Sequence, residues 1–162
     1  MTSTKIEWAT HVWNPVTGCT KVSEGCRNCY AERQITRFGK LVHGLDPSPK
    51  SAYIGLPIVA PFARVLTHPD RLDEPLHWRK PRRVFVCSMS DLFHPDVPDL
   101  FICDVLDTIQ KSPQHTFMVL TKRPQRMSRW PIEDRDGPIK NLWLGVSVEN
   151  QATADERIPL LL

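Results

Sequence analysis

Three runs of the chain are apolar almost without interruption: Val84-Phe85-Val86-Cys87-Ser88, Thr116-Phe117-Met118-Val119-Leu120-Thr121 and Leu142-Trp143-Leu144-Gly145-Val146-Ser147-Val148. Their β-branched and aromatic content predicts strands. Continuous rather than alternating hydrophobicity predicts strands covered on both faces, as in a parallel sheet. Between the first two runs, Phe101, Val105 and Ile109 recur at helical spacing with Ile102 and Leu106 beside them, which predicts an amphipathic helix. Asp96 is placed to cap that helix, and Pro98 falls in its first turn, where a missing N–H does no harm. A second helix is predicted from about Asn28, with Ala31, Ile35 and Phe38 on one face and Gly39 as the stop. A third follows Asn150, a capping residue, and ends by Pro159.

Strand–helix–strand alternation predicts an α/β fold with right-handed crossovers. The last residues, Arg157-Ile158-Pro159-Leu160-Leu161-Leu162, are apolar. Three or four strand–helix units leave a parallel sheet with an open hydrophobic edge. The expectation is therefore an α/β domain with parallel strands over residues 1–162, open at one sheet edge and truncated at its C-terminus. Trp143 and Leu160 to Leu162 at such an edge predict self-association.

Composition narrows the class. With 162 residues, 41% hydrophobic and 24% charged, the chain has the size of one ordinary domain and the make-up of a globular one. A net charge of +3 permits a polyanionic partner such as nucleic acid without requiring one. No apolar run reaches membrane-spanning length, and MTSTKIEWATHVW lacks the basic-then-apolar pattern of a signal peptide. A cytoplasmic, reducing location is expected, where thiols serve more often as ligands or nucleophiles than as disulfides. The 15 prolines fall mostly between predicted elements, as punctuation.

Chemistry concentrates in GCTKVSEGCRNCYAE, residues 18–32, which holds Cys19, Cys26 and Cys29. Thiolates suit soft and borderline metals, and the Cys26-x2-Cys29 pair lets two sulfurs face one centre. Gly18 and Gly25 each precede a cysteine, where small residues are expected to let the backbone fold tightly around a bulky cofactor. Cys29 falls at the start of a predicted helix, whose N-terminus favours thiolate charge. Two metals remain open. Zinc would need a fourth ligand such as His11 or His43. An iron–sulfur cluster with one open iron fits three thiolates as they stand. Cys87 and Cys103 sit in apolar surroundings and read as core. Trp8 and Trp13 flank the approach to the loop and are expected to wall it from water, whereas Trp143 reads as a sheet-face packing residue. His68, His77 and His94 lie in polar or proline-flanked loops and are assigned no role.

In parallel α/β folds, functional groups collect at the carboxyl ends of strands. Each predicted strand here ends in polar residues: Ser88-Met89-Ser90-Asp91, Thr121-Lys122-Arg123 and Ser147-Val148-Glu149-Asn150. A structural reading stands beside each: Asp91 as the cap of a turn, Lys122 and Arg123 as solvated charges, Asn150 as a helix cap.

Trp13-Asn14-Pro15-Val16-Thr17-Gly18-Cys19, leading into Cys26-x2-Cys29-Tyr30-Ala31-Glu32, closely resembles an uncharacterised bacterial and phage family with a three-cysteine motif, related to the radical S-adenosylmethionine enzymes. The likeness continues through Arg71-Leu72-Asp73-Glu74-Pro75-Leu76, Ser88-Met89-Ser90-Asp91-Leu92-Phe93, Leu120-Thr121-Lys122-Arg123-Pro124 and Trp143-Leu144-Gly145-Val146-Ser147-Val148-Glu149-Asn150, and so covers nearly the whole chain. The order of blocks is similar to the spore photoproduct lyase branch, and the likeness implies a partial (β/α) barrel whose remaining units are missing after residue 162. The commonest radical-enzyme motif has three residues in its first gap, whereas six separate Cys19 from Cys26 here.

The resemblance implies a 4Fe-4S cluster on Cys19, Cys26 and Cys29, with S-adenosylmethionine at the open iron and a reductant protein as electron donor. It implies that Ser88, Ser90 and Asp91 face the amino group of S-adenosylmethionine, that Lys122 or Arg123 faces its carboxylate, and that Ser147 and Glu149 meet the ribose hydroxyls. One-electron cleavage of the sulfonium would give a 5′-deoxyadenosyl radical acting on a substrate that the sequence does not name; kinship with a DNA-lesion lyase points toward nucleic acid. Two other readings remain: a zinc-stapled, non-catalytic binding module, and an inactive truncated remnant.

Overall fold

The computed structural model describes residues 4–35, 61–130, 133–134 and 137–162. Its centre is a four-stranded sheet of β1 (His11–Trp13), β4 (Arg83–Val86), β5 (Thr116–Thr121) and β8 (Leu142–Val146), adjacent in that order and all parallel. A short antiparallel ribbon pairs β2 (Val16–Thr17) with β3 (Leu66–Thr67), and a second pairs β6 (Glu133–Asp134) with β7 (Gly137–Pro138). The three apolar runs are strands as expected, the last ending at Val146. The first strand of the sheet, β1, was not expected. Its three residues open on His11 and are too few to display a period.

The chain from β4 to β5 passes through helix α2 (Asp99–Gln110), which buries Phe101, Ile102, Val105, Leu106 and Ile109. The cap differs from expectation. Pro98 is the N-cap residue, and Asp96 lies outside the helix. The C-terminal carbonyls are met by Asn141, whose Nδ2 donates to Ile109 O (2.8 Å) and Ser112 O (3.0 Å). Cys103 is a correction: it is exposed, because it shares the helix face of Asp99, Asp107 and Gln110 rather than that of Phe101 and Val105.

Coverage of the sheet is a second correction. Trp13, Val84, Val86, Phe117 and Val119 point into the core beneath α2. The opposite face carries the cross-strand row Val12–Phe85–Met118–Trp143, in register from β1 to β8. There Trp143 is 65% exposed and Leu120 38%. The strands are apolar on both sides, yet among the described residues only the α2 side is closed. Trp13, expected near the approach to the cysteines, is fully buried with its indole Nε1 donating to Arg71 O (2.8 Å). Trp8 does remain at the open face, edge-on to Phe85 at 4.9 Å between centroids.

Helix α1 is described over residues 30–35 and buries Ala31 and Ile35. Phe38, Gly39 and His43 lie outside the described residues. Helix α3 (Pro124–Met127) follows β5, and helix α4 (Gln151–Arg157) follows β8. Asn150 caps α4 as expected: its Oδ1 accepts from Thr153 N (2.9 Å), and Thr153 Oγ1 accepts from Asn150 N (3.1 Å). Among the described residues no helix is long and apolar enough to cross a membrane.

Candidate functional site

The carboxyl ends of β1, β4, β5 and β8 meet along one edge of the sheet, and the 18–29 loop runs across that edge. A cavity of about 1450 Å³ lies between the loop and the open sheet face. Cys19, Cys26, Cys29, Ser88, Ser90, Asp91, Lys122, Arg123 and Ser147 all line it; Glu149 does not. Its floor includes Trp8, Val12, Phe85 and Leu120. Polar strand ends thus gather beside the cysteines, above an apolar floor.

The loop begins at a backbone crossing. Gly18 has φ +87°, donates its N–H to Met89 O (3.1 Å), and bridges Ser90 in parallel. A Cβ at Gly18 would fall 2.0 Å from Arg64 O, so a side chain is excluded by backbone on the far side. Cys19 N donates to Phe62 O (2.8 Å), and Ser90 Oγ donates to Val16 O (2.8 Å). Gly25 is confined differently: a Cβ there would lie 2.3 Å from Glu149 Cγ. The tight spacing expected at both glycines therefore serves the protein's own chain.

Asp91 is the hub of the edge. Its Oδ1 accepts from Phe93 N (3.0 Å) and Thr121 Oγ1 (2.7 Å), and its Oδ2 from Lys122 N (3.0 Å) and Arg123 Nη1 (3.2 Å). Asp91 is 5% exposed. Four donors occupy it, including the turn-capping amide of Phe93. Arg123 then carries the charge onward: Nη1 reaches Cys19 Sγ at 3.5 Å, and Nη2 donates to Thr20 O (2.9 Å) and Thr20 Oγ1 (3.1 Å). Burial pushes the Cys19 thiol up, and the neighbouring Arg123 guanidinium only partly offsets that.

Lys122 and Glu149 form an ion pair rather than facing the cavity separately. Glu149 also accepts from Ser23 Oγ (2.9 Å) and Arg157 Nη1 (3.1 Å). Partial burial opposes its charge, but the Lys122 and Ser23 hydrogen bonds and the Lys122 and Arg157 charges prevail and hold its carboxyl below the usual range. Arg157 Nη1 donates to Ser147 O as well (2.6 Å). The long gap between Cys19 and Cys26 thereby gains a physical account. Its extra residues carry Ser23 and Gly25 out to Glu149, on the far side of the sheet. Cys26 then follows in a 3-10 turn, Glu24–Cys26, with its N–H on Ser23 O (3.0 Å). Burial disfavours the Cys26 thiolate, but the hydrogen bonds of Val22 and Ser23 outweigh it and the thiol is lowered. Cys29 stands just ahead of α1, as expected, its carbonyl accepting from Arg33 N (3.2 Å).

Several participants carry no sequence signal of their own. Asn14 Oδ1 accepts from Ser88 Oγ (3.1 Å) and Met89 N (3.2 Å), fixing the turn after β4. Tyr30 donates its hydroxyl to Ser88 O. His94 is buried. Its Nδ1 accepts from Asp96 N (3.1 Å), so Nε2 carries the proton and donates to Thr20 Oγ1 (2.8 Å). Cys87 is buried as expected, yet it has φ 58° at the end of β4 and lines the cavity. Such a backbone in a non-glycine residue costs about 1–3 kcal/mol and is often found at functional edges. Burial pushes its thiol up to about 12.

Among the described residues no group of three His, Cys, Asp or Glu side chains is drawn together as for a single metal ion. Five cysteines are free thiols. Four of them line one cavity: Cys87, which is buried, and the loop's Cys19, Cys26 and Cys29, whose donor chemistry and the room beside them fit a sulfur-ligated group larger than an ion. No curated protein and no solved structure matches the chain. Over residues 3–162, however, it matches the family described as protein of unknown function (DUF5131), and it belongs to that family.

Proposed function

We propose that this protein is a radical S-adenosylmethionine enzyme, with Cys19, Cys26 and Cys29 as the ligands of a 4Fe-4S cluster. The observation that carries the reading is that all three thiols open on one roomy cavity at the carboxyl edge of a parallel sheet. A cluster is gripped at separate irons, so its thiolates need not share one ion's coordination sphere. When bound, it would supply the electron that cleaves the sulfonium of S-adenosylmethionine and so releases a hydrogen-abstracting 5′-deoxyadenosyl radical.

The chain's own residues then position and exclude. Arg123 ties Cys19 and Thr20 to Asp91, which fixes the first ligand against β5. Glu149 ties Ser23 to Lys122 and Arg157, which fixes the middle of the loop against β8. Because Asp91 already serves four donors, Ser88 and the backbone about Ser88–Ser90, which line the cavity, are better placed than its carboxylate to meet an ammonium group. Trp8, Phe85 and Leu120 keep the floor apolar, which limits water at a reactive centre. We read the four-stranded sheet as part of a (β/α) barrel whose interior is this floor.

The test is anaerobic reconstitution with iron and sulfide, followed by electron paramagnetic resonance of the reduced protein with and without S-adenosylmethionine. A cluster signal that shifts on adding the sulfonium supports the proposal. A colourless protein holding one tight zinc ion sinks it and favours a metal-stapled binding module.

A further inference from the structure

The cavity does not end at the cysteines. It extends over the open sheet face to Lys5, His77 and Trp78, at the amino-terminal edge of the sheet. Trp78 opens the run Trp78-Arg79-Lys80-Pro81-Arg82-Arg83, with four cations in six residues. The run is rigidly mounted. Arg83 O accepts from Thr10 N (2.9 Å), Arg83 N donates to Thr10 Oγ1 (3.1 Å), and Arg82 O accepts from Thr116 N (2.9 Å). The Arg82 guanidinium lies 4.6 Å above the Trp78 ring.

Arg79, Lys80 and Arg83 are exposed, and their side chains form no ion pair with a described residue. Of the nearby acids, Asp73 is engaged by His77 (3.1 Å) and Glu74 lines the cavity. Arg79, Lys80 and Arg83 lie outside the cavity lining, but Arg83 shares the β4 face of Phe85. A rim of exposed cations thus flanks a groove floored by Trp8 and Phe85, the pairing of phosphate attraction and base stacking that single-stranded nucleic acids exploit. A duplex would present phosphates to the rim but no bases to the floor.

We infer that this edge is a docking surface for single-stranded nucleic acid, with phosphates on Arg79, Lys80 and Arg83 and bases directed over Trp8 and Phe85. No cysteine belongs to the rim, so the inference stands whichever metal the loop holds. It also goes beyond the cluster chemistry, because it can be measured on the metal-free chain.

The experiment is fluorescence anisotropy of a labelled single-stranded DNA oligonucleotide with the full, reduced, metal-free chain, titrated between about 50 and 200 mM salt. The combined variant Arg79→Ala, Lys80→Ala, Arg83→Ala is expected to weaken binding by about tenfold or more and to reduce the salt slope by about 2, at about 0.7 per lost phosphate contact. Trp8→Ala, with the rim intact, is expected to weaken binding by about tenfold while leaving the salt slope unchanged. Unaltered binding in the triple variant overturns the rim. Equal affinity for duplex overturns base access to the groove. Equal competition by polyglutamate of matched charge overturns nucleic acid as the occupant and favours an acidic protein.

Discussion

Replacing Asp91 by Asn separates a structural hub from a ligand-facing carboxylate. The substitution keeps the shape of the side chain but removes its charge and turns one of its two acceptor atoms into a donor. Asp91 accepts from Phe93 N, Thr121 Oγ1, Lys122 N and Arg123 Nη1, and the Arg123 pair has side chains 10% and 7% exposed. Two of those four donors would face an amide N–H₂. Removing one partner of a buried ion pair costs about 3–5 kcal/mol, and each stranded buried donor costs about 1–3 kcal/mol within that sum. The expected loss is about 3–5 kcal/mol, a large share of an ordinary domain's stability. For a chain of this length it corresponds to a fall in Tm of roughly 6–20 °C. Urea unfolding of the metal-free, reduced protein, followed by tryptophan fluorescence, measures it. A double-mutant cycle with Arg123→Met should return a coupling of about 2 kcal/mol or more. A loss under about 1 kcal/mol would refute the hub and return Asp91 to the role of a free acceptor for a bound ammonium group.

Gly18→Ala should cost several kcal/mol, about 3 or more, because it combines a positive φ with a 2.0 Å clash against Arg64 O; chemical denaturation and iron uptake should both report the damage. Gly25→Ala meets only the flexible Glu149 side chain, so the expected cost is about 1 kcal/mol, read in the same unfolding assay. Glu149 has a folded pKa below its ordinary value of 4.5. Its contribution is therefore present above that value and lost as pH falls through the lower folded value, so Glu149→Gln should flatten the acid limb of the stability–pH profile and leave its slope above pH 7 unchanged. Iodoacetamide followed by mass spectrometry of the native chain should modify exposed Cys103 and spare Cys87, whose thiol is raised to about 12. Sedimentation should show concentration-dependent self-association that Trp143→Lys weakens, since that indole is 65% exposed on an outer strand.

The sequence displays those elements whose signal is local. The strands at Val84, Thr116 and Leu142 carry enough consecutive apolar residues to be recognised, and Asn150 announces its helix through a short-range capping box. The strand His11–Trp13 is hidden because its identity comes from pairing with Val84–Val86, not from its own composition. The open sheet face is hidden as well: Phe85, Met118 and Trp143 are as apolar as their buried neighbours, and only tertiary placement distinguishes them. Within the site, the cysteine spacing is visible along the chain. The engagement of Asp91 with Thr121, Lys122 and Arg123 is not, because every partner but Phe93 lies about thirty residues away. Cys103 shows the limit of reading by neighbourhood: apolar residues surround it in sequence, yet the helix turns it outward with the aspartates.

The Ser23–Glu149 hydrogen bond joins residues 126 positions apart. Its two halves lie near opposite ends of the described chain, so the loop can reach its final span only after β8 has docked and α4 has begun to form. Closing so long an interval is entropically slow and must follow the local contacts of α2 with β4 and β5. During synthesis from the N-terminus, the three cysteines emerge first and wait for the last strand to complete their frame. On the proposed cluster function, metal acquisition would act as an assembly checkpoint, with the thiols framed only in chains whose β8 and α4 have docked.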